Sequence, residues 1–194
     1  MAKKSNRNTR GRIVSAAWKL FYEQGYEDTT VEEIIELSGT SKGSFYHYFD
    51  GKDALLSTLS SLFDEKYEEL TGLLTPEMTA MEQLLFLNRE LFHVIENSIS
   101  LDLLARLYST QLTTNGEKHL LDHNRIYYKL LRKIIAKGQS EGQLSSRSNV
   151  NEMVKLYALC ERALLYDWCL CAGEYALTEY SAKVLPGFLS SFLP

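Results

Sequence analysis

Residues 30–56 read TVEEIIELSGTSKGSFYHYFDGKDALL, and the alternation of short helical stretches with turn residues in this segment decides the fold. Thr30 and Glu33 form a capping-box pattern, in which the threonine hydroxyl accepts from an orphan amide and the glutamate reaches back to the cap. A short helix follows through Leu37, Ser38 and Gly39 force a turn, and a second short helix runs from Ser41 to about Tyr48. Asp50, Gly51 and Lys52 mark the next turn. Two short helices (30–37 and 41–48) joined by a glycine-containing turn (38–40) match the helix-turn-helix arrangement, which presents its second helix to a DNA major groove, although a bare pair of short helices is common in any helical bundle.

Working outward, Ile13, Ala16, Ala17, Leu20 and Phe21 recur at helical spacing and Gly25 stops that helix. After the turn at 50–52 a longer helix is expected through about Leu73, closed by Gly72 and Pro76. Apolar periodicity then predicts helices at about 76–97 (Met81, Leu84, Leu85, Leu91, Phe92, Ile95), 100–113, 117–140, 149–172 and 177–192. Thr75 with Pro76, and Asn149 with Glu152, read as helix starts. No stretch alternates with period two for long enough to make a strand, so the expected fold is all-α, with nine helices. Its parts are an N-terminal three-helix helix-turn-helix domain over 1–56 and a C-terminal helical bundle over 57–194, with the boundary inside a helix and no linker.

Ala17, Phe21, Gly25, Thr30, Ile34, Gly39, Ser41, Lys42, Gly43, Tyr46, Phe49, Lys52 and Leu55 form a dense pattern. With them, residues 12–56 resemble the DNA-binding domain of the TetR family of bacterial transcriptional repressors. The resemblance implies DNA contacts from Thr30, Lys42, Gly43, Ser44, Tyr46, His47 and Lys52. The chemistry suits those positions. Thr30 and neighbouring free amides can meet a phosphate, Lys42 and Ser44 can donate to base edges, and Gly43 allows close backbone approach. Lys52 is read as a phosphate clamp. Tyr48, Phe45 and Phe49 are read mainly as helix supports. Ile35 stands where the family usually has alanine, and Ser38 and Thr40 are more polar than its pattern, which implies looser packing between the two motif helices.

Beyond residue 56 the resemblance implies only architecture: an effector-binding and dimerisation domain, with a homodimer on a palindromic double-stranded operator and release by an unidentified small molecule. Segment 149–172 is apolar on two faces, with Val150, Met153, Val154, Tyr157, Leu164 and Trp168 on one and Leu156, Leu159, Cys160, Ala163 and Leu170 on the other. A helix apolar all round must be covered on both sides, by core and by a partner subunit, with 117–140 (Leu120, Tyr127, Leu131, Ile134) as its expected companion. Candidate pocket residues are Phe92, His93, Tyr108, Tyr127, Tyr157, Glu161 and Trp168, with Tyr128 and Tyr166 as further aromatics. Glu161 falls on an apolar face. It has three readings: pairing with Arg162 of the partner subunit, binding a cationic ligand, or a solvated dimer edge.

Charge is uneven along the chain. Residues 1–19 carry six basic residues and no acid, which suits a polyanion, whereas residues 20–53 set Lys42 and Lys52 against eight acids. DNA affinity is therefore expected to lean on the basic arm and on Lys42 and Lys52, with steep salt dependence. No apolar run reaches the roughly 18 residues a membrane span needs, so no membrane partner is expected. Three clustered cysteines, Cys160, Cys169 and Cys171, suit a reducing, cytoplasmic setting. His119 and His123 are spaced to share a helix face, and with Asp122, Cys169 and Cys171 they raise a zinc or thiol-sensor alternative, though no metal or other cofactor is expected. A second alternative is an interaction bundle that does not bind DNA. No phosphate-cradling glycine loop or nucleophile arrangement is present, which argues against an enzyme.

Overall fold

The computed structural model describes residues 2–113 and 118–194, with side chains from residue 9 onward. Among the described residues there are ten α-helices rather than nine, and no strand. The first, α1 (Ala2–Gln24), buries Ile13, Ala16, Ala17 and Phe21 and ends at Gly25, whose φ of 89° suits a residue without Cβ. The expected capping box opens α2 (Val31–Ser38): the Glu33 amide donates to the Thr30 hydroxyl at 3.2 Å and the Thr30 amide to Glu33 at 2.7 Å. The Thr30 amide and the Thr30 hydroxyl, both donating to it, hold the Glu33 carboxyl below its ordinary range. Gly39, at φ 60°, closes α2, and Ser41 caps α3 (Lys42–Tyr48) by accepting from the Ser44 amide at 3.1 Å.

The helix expected from Lys52 to Leu73 is broken into α4 (Lys52–Leu56) and α5 (Leu59–Thr71). Hydroxyls explain the break. Ser57 donates to the Ala54 carbonyl at 2.7 Å and Thr58 to the Leu55 carbonyl at 2.6 Å, competing with the helical ladder. The Trp18 indole donates to the Thr58 hydroxyl at 2.8 Å and fixes the break against α1. The next helix starts later than Thr75 and Pro76 suggested: α6 (Ala80–Ser98) is opened by a Thr79–Glu82 capping box, and residues 75–78 form a turn.

After α7 (Leu101–Thr113), the segment expected to be one helix over 117–140 begins outside the described residues, and from residue 118 it consists of a 3-10 turn at His119–Leu121, a loop, and α8 (Ile126–Ser140). The loop is anchored by Arg125, whose guanidinium donates to both oxygens of Asp64 on α5 at 3.1 and 3.0 Å. Asn149 caps α9 (Val150–Leu170) as expected, with the Glu152 amide donating to it at 3.0 Å. The last helix, α10 (Leu177–Leu189), runs into a 3-10 turn at Ser190–Phe192.

Two apolar cores result. Ile13, Ala17, Phe21, Ile34, Phe45, Phe49, Leu55 and Leu56 pack together around the two short helices, joined by Leu103 of α7. The larger core draws on α5 to α10. Helices α8 and α6 approach closely at Gly138, where an added Cβ would lie 2.6 Å from the Ala80 Cβ and 2.9 Å from Leu144.

Candidate nucleic-acid interface and ligand cavity

Helix α3 is held by its aromatic underside. Phe45 and Phe49 are buried, with ring centroids 5.9 Å apart, which removes roughly 2–3 kcal/mol of apolar surface each from water. That anchorage turns the opposite side of α3 outward: Lys42, Gly43, Tyr46 and His47 are exposed, and Tyr46 keeps 46% of its surface in solvent. Ser44 is half-buried and its hydroxyl pairs with that of Ser41 at 2.9 Å. An added Cβ at Gly43 meets nothing closer than 4.0 Å, so this side of the helix start lies open to an approaching surface. Thr30 is exposed at the start of α2, its hydroxyl engaged with Glu33 at 2.8 Å. Tyr48 is half-buried against the core.

Two basic residues differ from their simplest reading. Lys42 lies 3.7 Å from Glu32, both side chains about 70% exposed (70% and 71%), an ion pair that phosphate can exchange for. Lys52 points inward instead of toward a phosphate: its ammonium donates to the carbonyls of Tyr26, Glu27 and Thr29 at 2.6, 3.2 and 2.8 Å. It clasps the loop that leads into Thr30. Of the basic arm, Arg10 lies over the Phe49 ring at 5.4 Å and Arg12 donates to the Gly39 carbonyl at 3.4 Å, which places both charges beside the turn and α3. The side chains of Lys3, Lys4 and Arg7 lie outside the described residues. Ile35 packs into the N-terminal core, and Ser38 meets its own hydrogen-bonding needs by donating to the Ile35 carbonyl at 3.1 Å and pairing with Thr40 at 2.8 Å.

The larger unit holds a cavity of about 50 Å³ between α5, α6, α7, α8 and α9. Of the seven candidate pocket residues, Phe92, Tyr108, Tyr127 and Glu161 line it; Phe63, Tyr67, Arg125 and Arg162 also line it and were not anticipated. Three candidates lie elsewhere. His93 is exposed on the outer side of α6, hydrogen-bonded with Asn97. Trp168 is buried where α9 ends, donating to the Tyr175 carbonyl at 2.9 Å. Tyr157 is core and donates to the Leu84 carbonyl at 2.8 Å.

Glu161 is 4% exposed, which overturns the solvated-edge reading, and Arg162 of its own chain donates to the Tyr128 hydroxyl instead. Burial pushes its carboxyl above the ordinary range, partly opposed by the donors that face it. Tyr127 donates to it at 2.7 Å and Asn88 at 2.9 Å, while Ser181 of α10 donates to Asn88 at 2.6 Å. A buried polar chain thus runs from the cavity wall through α9 and α6 to α10. Asn88 was legible as an amide in the middle of the apolar stripe Leu84, Leu87, Leu91 and Phe92, where a buried amide needs a partner.

His119 and His123 do not share a helix face, because the first sits in the 3-10 turn and the second in the loop before α8, stacked 4.7 Å from Tyr128. Among the described residues no group of three or more His, Cys, Asp or Glu side chains is placed to hold a metal ion. Burial pushes the Cys160 and Cys169 thiols up to about 11, which disfavours reactive thiolates. No described helix is long and apolar enough to cross a membrane.

The family described as "Bacterial regulatory proteins, tetR family" matches residues 13–59, the segment that builds this helix-turn-helix. Over these residues the chain is similar to that family. The HTH-type transcriptional regulator QacR of Staphylococcus aureus is 36% identical over 62 residues, 32% of this chain and 33% of that protein. An HTH-type regulator in the lacX 3′ region of Lactococcus lactis is 39% identical over 56 residues, 28% of this chain and 29% of that protein. The chain therefore spans a third or less of the length of these two curated relatives. Over nearly the whole chain it is similar to the structure of Thermus thermophilus FadR, a TetR-family transcriptional repressor solved in complex with lauroyl-CoA. That match has a TM-score of 0.76 and 26% identity, and covers 95% of both chains.

Proposed function

We propose that the protein is a ligand-responsive, dimeric transcriptional regulator that represses by binding a palindromic operator and releases it when a small molecule enters the C-terminal domain. The observation that carries the reading is the outward face of α3, whose Lys42, Gly43, Tyr46 and His47 are left exposed by the buried Phe45 and Phe49 beneath them. We assign base and phosphate contact to these four, with Thr30 and Ser44 at the helix starts and Arg10 and Arg12 beside the turn. Lys52 supports the loop before α2 rather than a phosphate. In this reading residues 1–56 bind DNA, residues 57–194 bind effector and partner, and the protein catalyses no reaction and works in the cytoplasm.

The dimer is proposed to form through α9 and α10. On α9 the outer residues Leu159 and Leu170 are 53% and 67% exposed and Tyr166 lies between them; on α10 Tyr180 is 42% exposed. The expected companion, 117–140, buries Tyr127, Leu131 and Ile134 in its own subunit, so α10 replaces it. A two-fold axis there sets two α3 helices on successive major-groove faces of an inverted repeat. The effector site is the cavity lined by Phe92, Tyr108, Tyr127 and Glu161. Lauroyl-CoA, the ligand of the Thermus thermophilus protein, is the first compound to test.

Selection of genomic fragments by the purified protein tests the reading. The expected result is recovery of fragments sharing an inverted repeat, bound by a dimer, with Leu159→Glu and Leu170→Glu together giving monomers that no longer select it. Recovery of fragments without a shared motif would contradict it.

A further inference from the structure

Among the described residues α7 is the one helix with buried side chains in both cores. Leu103 packs with Ile13, Phe21, Leu55 and Leu56, while Leu104 and Leu107 belong to the larger core and, with Tyr108, line the cavity. A further part of its surface carries Arg106. The Arg106 Nε donates to both oxygens of Asp102 at 3.0 and 2.8 Å, a terminal nitrogen meets Glu27 at 2.5 Å, and the guanidinium lies 4.9 Å from the Tyr26 ring centroid. Lys52 lies over the same ring at 4.3 Å while donating to the carbonyls of residues 26, 27 and 29. Tyr26 is 4% exposed, and its hydroxyl donates to Asp53. One buried ring therefore receives a cation from the helix-turn-helix unit and another from α7. Such contacts strengthen as the ring and cation are withdrawn from water, and a network of this kind outweighs an isolated surface pair.

The position of this junction gives it a use. The loop clasped by Lys52 and Arg106 runs directly into Thr30, the cap of α2, and Lys52 itself starts α4. A cavity of about 50 Å³ is well below the roughly 300 Å³ or more that organic ligands occupy. Entry of such a ligand requires the lining to open, and α7 contributes three of the lining side chains.

We propose that Arg106 is a positioning residue: with Lys52 it forms a two-cation latch on Tyr26, through which displacement of α7 changes the seating of the DNA-binding unit. The consequence for DNA rests on the function proposed above, whereas the latch itself does not. Releasing the Arg106 contacts frees Glu27 and one partner of the Tyr26 ring and leaves the loop without this tie to α7, held from its own unit by Lys52, by the Tyr26–Asp53 hydrogen bond and by Gln24.

Hydrogen exchange on the full-length protein tests both parts, with Arg106→Gln, Arg106→Lys, Glu27→Gln and the Arg106→Gln, Glu27→Gln pair. Arg106→Gln is expected to speed exchange of amides 26–30 about fivefold or more and to leave α9 unchanged, as local opening does. Binding to the chain's own upstream DNA is expected to weaken about tenfold, with part recovered in Arg106→Lys and no further loss in the pair. Unchanged exchange over 26–56, or equal acceleration in α9, overturns the latch. Accelerated exchange with unaltered DNA affinity overturns the coupling. If the wild-type protein shows no specific DNA binding, the proposed function fails, and the exchange of 26–30 still decides the latch.

Discussion

The neighbourhood of α2 and α3 and the interior of the C-terminal unit use polar groups differently. Around α2 and α3 they are short-range and close to solvent: Thr30 with Glu33, Ser41 with Ser44, Ser38 with Thr40, each within three residues in sequence. The C-terminal unit adds to its local caps at Thr79 and Asn149 a set that is buried and distant in sequence, as in Ser181 to Asn88 and Asn88 to Glu161. A unit that must show a fixed surface to a long rigid partner gains from local capping, which sets each helix end without constraining the rest. The C-terminal unit, assigned above to binding and response, carries polar groups across helices, where changing one partner is felt by several.

This contrast predicts a ranking of effects. Glu161→Ala leaves the Tyr127 hydroxyl and the Asn88 amide without their acceptor inside the core. Chemical denaturation should show a loss of about 2–4 kcal/mol, with no change in exchange at 30–38 beyond that global loss. A loss below about 0.5 kcal/mol would mean that the buried chain carries no weight. Thr30→Ala removes one cap from the other unit and should cost about 1 kcal/mol, visible as faster exchange over 31–38 and rescued by Thr30→Ser.

The pH response sharpens the same comparison. Burial raises the Glu161 pKa in the folded protein, so the native state holds this proton more tightly than the unfolded chain. Its contribution to stability is full below the ordinary carboxylate range and declines as pH rises toward the raised value. Glu33 works in the other sense: its lowered pKa contributes stability that is present above the ordinary carboxylate range and fades on acidification. Denaturation curves across pH should therefore show that Glu161→Gln removes a decline above the ordinary carboxylate range, and an unchanged profile would remove Glu161 from the account. The smallest effect is assigned to the exposed Lys42–Glu32 pair. Glu32→Gln should shift stability by only about 0.5 kcal/mol or less while tightening DNA binding by freeing Lys42, and weaker binding would show that Glu32 does more than compete.

The two units also differed in how far residue patterns could be read. Capping boxes and glycine turns act within three or four residues, so Thr30, Gly39 and Ser41 announced their structures directly. The break between α4 and α5 was missed because Ser57 and Thr58 read as ordinary helical residues until their hydroxyls turn on the preceding carbonyls. The extent of α8 was missed because the anchor of the preceding loop, Asp64 with Arg125, spans 61 residues. Aromatic residues located the cavity only in part. Tyr108 and Tyr127 line it, but Tyr157 and Trp168 are aromatic core whose polar atoms serve neighbouring backbone. Lys52 shows the limit of reading charge from position: a lysine at a helix start faced carbonyls of its own chain.

The most direct test is binding of the full-length protein to its own upstream DNA over a salt series, beside the Lys42→Ala, Tyr46→Ala double variant. The account predicts tight binding with a steep negative slope of log affinity against log salt. It also predicts a loss of about 100-fold in the variant at unchanged thermal stability. Binding no tighter than to random DNA, with the variant indistinguishable from wild type, would contradict it.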